Sequence, residues 1–167
     1  MVAILPHMKD LVIRHLRDTT EARFCAAFMA ASQPWNTLKF PEERLFAGLT
    51  DPAREVFVAE LEGTIVGTLV LVLRGSFTGY IQNIAVHCDF QNRGIGKHLV
   101  QFAEEQIFRL SPNVFLCVTD FNVRAQTFYT RLGYRRIGEL ENYLREGHSE
   151  ILMRKTKGPL LAFTPEK

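Results

Sequence analysis

Apolar and polar positions recur along this chain with two different periods, and the switches between them mark its elements. Leu11-Val12-Ile13-Arg14-His15-Leu16 reads as a first strand. Phe24, Ala27, Phe28 and Ala31 then recur at helical spacing behind a cap at Thr19 or Thr20, until Pro34-Trp35 interrupts them. A second, short helix starts at Pro41, with Glu42 and Glu43 in its first turn and Leu45, Phe46 and Leu49 on one face. Asp51-Pro52 closes it. Strands at Glu55–Glu60, Thr64–Arg74 and Tyr80–Val86 are joined by Glu62-Gly63 and by Gly75–Gly79, which predicts an antiparallel meander.

Helix 95–110 carries Ile95, Leu99, Phe102, Ala103, Ile107 and Leu110 on one stripe and stops at Ser111-Pro112. Val114-Phe115-Leu116-Cys117-Val118 is apolar throughout, which predicts a central strand covered on both faces. Asn122 caps a short helix through Leu132, with Gly133 in the left-handed position behind it. Tyr134–Leu140 and Glu150–Arg154 are the closing strands, and residues 158–167 read as an appended tail. The order β-α-α-β-β-β-α-β-α-β-β implies an α/β (α+β) fold, a mixed sheet with helices on both sides. No repeat, linker or low-complexity tract divides the 167 residues, so a single domain is expected over 1–167 with its core at about 11–155.

Composition narrows the function classes. A formal charge of +2 is too small to argue for nucleic acid or an anionic membrane surface. No apolar run is long enough to cross a bilayer. Three cysteines, Cys25, Cys88 and Cys117, are an odd number without short spacing, which fits a reducing compartment and offers no zinc knuckle. The opening MVAILPHMKD lacks a basic leader, so a cytoplasmic protein is expected. The five histidines (His7, His15, His87, His98, His148) have no metal-ligand spacing, and no metal is expected.

The chemistry concentrates where the strand ending Asn83-Ile84-Ala85-Val86 runs into Gln91-Asn92-Arg93-Gly94-Ile95-Gly96-Lys97 and then a helix. A glycine-bearing turn at a helix N-terminus exposes unpaired N–H groups reinforced by the helix dipole, a natural cradle for phosphate oxygens. Arg93 and Lys97 add charge beside it. A Walker loop would need Ser or Thr after the lysine, but His98 stands there. A dinucleotide fingerprint would need a third glycine where Leu99 stands. Gln-x-x-Gly-x-Gly after such a strand resembles the acyl-CoA loop of the GNAT superfamily of N-acyltransferases.

The segment Asn122-Val123-Arg124-Ala125-Gln126-Thr127-Phe128-Tyr129-Thr130-Arg131-Leu132-Gly133-Tyr134 strengthens the resemblance, matching Asn-x-x-Ala-x-x-Phe-Tyr-x-x-x-Gly-Phe/Tyr of that superfamily. Together the motifs imply a GNAT-like sheet of about seven strands, mostly antiparallel, with a parallel pair at 80–86 and 114–118 that splays to admit acetyl-CoA. They imply an enzyme that transfers acetyl to a primary amine, the acceptor being a small amine, an amino-acid derivative or a peptide N-terminus. By the resemblance, Ile84, Ala85 and Val86 line the pantetheine arm, and one of their amides polarises the acyl carbonyl. Gln91, Asn92, Arg93, Gly94, Ile95, Gly96 and Lys97 take the pyrophosphate, while Asn122, Ala125 and Phe128 complete the cofactor-binding set. Asn122 serves equally as a plain helix cap, and the two roles are compatible.

Tyr129 is the candidate catalytic residue. A phenol has a reference pKa near ~10, above that of a thiol, so it can donate a proton to a departing thiolate. Phe128 and Tyr129 point about 100° apart on a helix, so one can enter the core while the other faces the cleft.

The general base is open. Ribosomal-protein alanine acetyltransferases, which the chain distantly resembles, carry a glutamate on the fifth strand, and here Cys117 stands in its place. Cys117 fits a buried apolar position better than a base. Asp120, Glu139 and Glu141 are carboxylates expected near the cleft mouth, and a water relay is the remaining route. Arg131, Arg135 and Arg136 suit either a solvated face or the 3′-phosphate of CoA. Trp35 lies in a segment that borders the acceptor groove in this family, but a core position explains it better. A non-catalytic acyl-CoA sensor is the alternative function, and a monomer or homodimer is expected.

Overall fold

The computed structural model describes residues 10–75 and 77–166. The opening stretch Met1–Lys9, with His7 and the reading of it as no leader, lies outside them. The elements are β1 (Leu11–His15), α1 (Thr19–Ala30), α2 (Glu42–Leu49), β2 (Glu55–Leu61), β3 (Thr64–Val72), β4 (Tyr80–Val86), α3 (Ile95–Phe108), β5 (Asn113–Thr119), α4 (Val123–Arg131), β6 (Arg135–Glu141) and β7 (Ser149–Thr156). The strands form one sheet in the order β1-β2-β3-β4-β5-β7-β6. Every pairing is antiparallel except β4 with β5.

Two apolar layers hold the helices to opposite faces. On one, Ile95, Leu99, Val100, Ala103 and Ile107 of α3 pack onto Leu69, Leu71, Leu116 and Ile151, with α4 along the rim through Phe128 and Leu132. On the other, Cys25, Ala26, Phe28 and Met29 of α1 and Leu45 and Leu49 of α2 cover Val56, Val58, Val70 and Ala85. The α3 stripe shows why this helix forms despite Gly96 near its start and no side-chain cap. Burying Ile95, Leu99 and Ile107 contributes roughly 1.5–3 kcal/mol each, more than the ~1 kcal/mol that one helical glycine costs. Leu110 falls beyond the helix end and is exposed.

The sequence reading of α1 needs two corrections. The cap is Asp18, whose carboxylate accepts from the N–H groups of Thr20 and Glu21 at 2.9 Å; Thr19 already lies in the first turn. The buried stripe runs through Ala22, Cys25, Ala26, Phe28 and Met29, leaving Phe24 and Ala27 outward. Arg14 of β1 fixes the angle of this helix. It grips both oxygens of Glu21 at 2.7 and 2.9 Å while its Nε donates to Glu60 of β2 at 2.9 Å.

Candidate active site

Two irregularities in the middle of the sheet make the site. The first is a β-bulge at Gln82. Leu71 of β3 faces Ile81, but Val70 faces Asn83, so Gln82 is the extra residue. A bulge of one residue inverts the side-chain alternation beyond it. Ile81 and Ile84 therefore both join the α3 layer, while Ala85 joins the α1/α2 layer.

The second is the brevity of the parallel pairing. β4 and β5 are matched only at Tyr80–Phe115 and Ile81–Leu116, after which the strands part. The edge of β4 from Asn83 to Val86 is thus free of β5, and a gap opens in the sheet centre. Nor is β5 covered on both faces as its composition suggested. Val114, Leu116 and Val118 are buried, whereas Phe115 and Cys117 are half-buried on the α1/α2 side.

Beyond the gap on the α3 side, a short 3-10 turn at Cys88–Phe90 leads into the glycine loop. Gly94 has φ +85° and precedes the first helical residue, a conformation that L side chains resist. Asn92 is also left-handed, at φ +63°, and its side-chain oxygen accepts from Arg124 of α4. Gln91 Nε2 donates to the Val86 carbonyl at 3.2 Å and Arg93 donates to the Asp89 carbonyl at 2.8 Å, so both side chains brace the loop from inside. Gly96 sits against both neighbours: a Cβ there would make ordinary van der Waals contact, 3.8 Å from the Phe128 ring and 3.9 Å from Val86. Strand end, loop and α4 therefore converge. Asn122 Oδ1 accepts from Ala125 N–H at 3.2 Å, capping α4, and Leu132 and Gly133 (φ +93°) end it as expected.

On the α1/α2 side the gap widens into a cavity of about 680 Å³. Trp35 and Leu38 from the α1–α2 connection, Arg44 and Arg54 around α2, and Tyr143 and Leu144 from the β6–β7 loop form its walls. Its floor is β4 and β5, with Gln82, Asn83, Cys117 and Thr119. Tyr129 reaches it from α4, so one side chain is shared by the two sides of the gap. Its ring makes edge-to-face contacts with Phe128 (5.1 Å) and Tyr134 (5.6 Å). Burial pushes the Tyr129 phenol above its ordinary pKa, so it is protonated at neutral pH.

Residues 15–134 match the Acetyltransferase (GNAT) family, which is well over half of the chain. The chain belongs to the GNAT family. Among this family member's relatives is an uncharacterized N-acetyltransferase of Methanocaldococcus jannaschii, 35% identical over 114 residues that span 63% of this chain and 70% of that one. An N-alpha-acetyltransferase of Sulfurisphaera tokodaii is 26% identical over 136 residues, covering 71% of this chain and 81% of the relative. The fold of an aminoglycoside 6'-N-acetyltransferase solved with coenzyme A superposes with a TM-score of 0.70 at 17% identity, over 89% of this chain and 98% of the other. The ribosomal-protein-S18-alanine N-acetyltransferase of Escherichia coli gives 0.68 at 19% identity, over 89% and 95%. At such identities these two likenesses concern the fold.

Within this GNAT chain the carboxylates expected near the cleft mouth do not line the cavity. Glu139 pairs with Arg136 on the outer strand β6. Asp120 accepts from the N–H groups of Ser149 and Phe121 and faces His148 at 3.5 Å. Those backbone bonds, the Ser149 one first, hold its carboxyl below its ordinary range. Cys117 lines the cavity beside Tyr80, and burial raises its thiol above the usual value, which argues against thiolate chemistry.

Two other carboxylates line the cavity, Asp51 beside α2 and the buried Glu150 near the start of β7. Asp51 is paired with Arg54, whereas Glu150 is not in an ion pair among the described residues. Glu150 is the one the sequence did not single out. It stands opposite Thr119 in the β5–β7 pairing, one alternation along from Cys117. Its only advance signal was a charge at the head of the apolar run Ile151-Leu152-Met153. His87, Cys88 and Asp89 bring ligand atoms within 4.8 Å of one another, a closeness that three consecutive, mostly exposed residues owe to their shared turn.

Proposed function

We propose that this chain transfers an acetyl group from acetyl-CoA to a primary amine by direct attack, with Tyr129 protonating the departing thiolate. The observation that carries the reading is the position of Tyr129, half-buried and open to the cavity, at a break in the sheet flanked by the glycine loop. Acetyl-CoA supplies an activated thioester carbonyl and a thiol leaving group.

The chain's own residues fit that substrate. The left-handed Gly94 turns the first N–H groups of α3 outward, where helix dipole and Lys97 favour pyrophosphate oxygens. Asn92 and Arg124, tied together, extend the positive rim. The unpaired edge Asn83–Val86 offers backbone groups for the pantetheine amides, as an added strand would. One amide of Ile84, Ala85 or Val86 supports the carbonyl as negative charge develops on its oxygen. Asn122 keeps its side-chain N–H groups free for the same arm while its oxygen caps α4. Ala125 and Phe128 wall the arm from the α4 side.

Acceptors of the fold neighbours, as their names state, include aminoglycosides, spermidine and the alanine of a ribosomal protein. A small amine, an amino-acid derivative or a peptide N-terminus is therefore the acceptor class proposed here. Free-thiol release from acetyl-CoA with a panel of amines, amino acids and N-terminal peptides tests this. Acceptor-dependent release is expected, and Tyr129→Phe should lower kcat by roughly 10²-fold with acetyl-CoA affinity unchanged. Tight acetyl-CoA binding without release for any acceptor would favour a sensor module instead. Wild-type kcat in the phenylalanine variant would remove Tyr129 from the proton step.

A further inference from the structure

Glu150 is the one buried carboxylate among the described residues, at 5% exposure. Its single side-chain hydrogen bond comes from Thr119 Oγ1, which donates to Oε1 at 2.7 Å. No lysine, arginine or histidine among the described residues lies within ion-pair distance of it. A buried carboxylate without a cation is costly, and a fold that merely needed to fill this position would do better with an apolar side chain. Gln82, the bulge residue on the same cavity floor, likewise has its buried Oε1 without a hydrogen-bond partner. Two buried acceptors thus border one cavity, and the described residues supply no donor to either beyond one hydroxyl. Arg54 in the opposite wall is engaged by Asp51 at 3.1 Å, and Arg44 is exposed. The missing partner is a compact cation with several N–H donors and an apolar stem that the Trp35 and Leu38 walls accept.

We propose that Glu150 and Gln82 form an ammonium subsite in this cavity, and that Glu150 is the proton acceptor for the incoming amine. The proton step rests on the acetyltransferase reading; ammonium binding does not. The ammonium gives one proton to the Glu150 carboxylate. The freed lone pair forms the C–N bond at the thioester carbonyl and the C–S bond breaks. The thiolate then takes the Tyr129 proton, the second proton of the acylated nitrogen passes through water to the tyrosinate to leave the neutral amide, and Glu150 releases its proton to solvent. Glu150 occupies the β7 position diagonal to Cys117, which supplies from the next strand a carboxylate that Cys117 does not.

The test needs no knowledge of the natural acceptor. Trp35 is the single tryptophan of the chain and lines the cavity, so its emission reports on occupancy. Wild type is expected to bind n-butylamine, cationic at pH 7, about tenfold more tightly than 1-butanol, the scale of a hydrogen-bonded charge. Glu150→Gln, which can still accept from Thr119, is expected to erase the difference by weakening the amine alone, and Glu150→Asp to restore part of it. Equal affinity of the two probes in wild type, or a preference that survives Glu150→Gln, overturns the proposal. The wild-type arm decides even if a variant fails to fold.

With the acceptor found by thiol release, kcat/KM of wild type should fall on the acid side as Glu150 takes up a proton, and Glu150→Gln should lose that limb. Cys117 and Tyr80 across the floor, and Tyr143, Asp51, Arg44 and Arg54 around the walls, are the other groups facing this space, while Asp120, paired with His148, acts on Glu150 from outside it. Their titration would survive the Glu150 substitution. Acetyl-CoA binding by calorimetry separates the two readings. Ammonium selectivity without acetyl-CoA binding removes the transfer reaction and leaves the subsite. Transfer without ammonium selectivity removes the subsite alone.

Discussion

Single residues divide the site's work by backbone or by space, and the two glycines of the loop show the difference. Gly94 stands at φ +85° with nothing near its missing Cβ, so its constraint is conformational. Gly94→Ala should destabilise by about 1–2 kcal/mol, the cost of a left-handed L residue, with a matching loss of acetyl-CoA affinity. Urea unfolding and calorimetry would check both. Gly96 has ordinary helical geometry, and a Cβ there would make only van der Waals contact with Phe128 and Val86. Gly96→Glu should therefore leave the unfolding midpoint within about 0.5 kcal/mol. It should abolish acetyl-CoA binding by carrying charge and bulk to the phosphate position. Retained affinity in that variant would take the loop out of the site.

Elements matter here through their ends. Asn122→Ala removes the side-chain acceptor of the Ala125 N–H, and thermal melting should register a loss of about 1 kcal/mol. Helix α4 carries Tyr129, so kcat should fall with it, further than the stability change alone explains. Ends and punctuation were also what the sequence displayed best. Gly133, Pro41 and the Glu62-Gly63 pair, both left-handed in the structure, fixed three element boundaries through local chemistry alone. The glycine loop and the α4 motif were legible for the same reason, since each is a contiguous run of residues.

What the sequence hid is non-local. Nothing in Tyr80–Val86 announces that Gln82 is an extra residue, because a bulge is defined by the partner strand. Val114–Val118 is apolar throughout, so its composition could not tell that Cys117 faces a cavity. Glu150 became a candidate only when pairing with Thr119 brought it to the floor from thirty-one positions away. Thr19 and Thr20 obscured Asp18 because both residue types cap helices well.

For the whole molecule, pH should act through carboxylates of opposite sign. Glu21 is held below its ordinary value of 4.5, first by the hydrogen bond from Arg14, and Asp120 below 3.8 by the Ser149 N–H. Their contribution is complete above those values and is lost as pH falls through the lower folded ones. Glu150 runs the other way. Burial raises its carboxyl above 4.5, so its ionisation withdraws stability as pH rises from 4.5 through the folded value. Calorimetric scans between pH 3 and 8 should show Glu150→Gln melting above wild type at neutral pH, with the gap closing near pH 4. A variant less stable than wild type at pH 7 would mean that the carboxylate is compensated within the fold.

The two-pair match between β4 and β5 also bears on how the protein breathes. A strand in the middle of a seven-stranded sheet normally has its amides among the slowest to exchange with deuterium. Here the β4 amides directed at the gap have no strand to shield them beyond Ile81, so the geometric centre of the sheet should exchange like a rim. Saturating acetyl-CoA should convert those amides into protected ones while β1 and β6, the true margins, keep their rates. Such a pattern would mark β4 as a docking edge turned inward, shielded from other chains by the two helix layers that flank it.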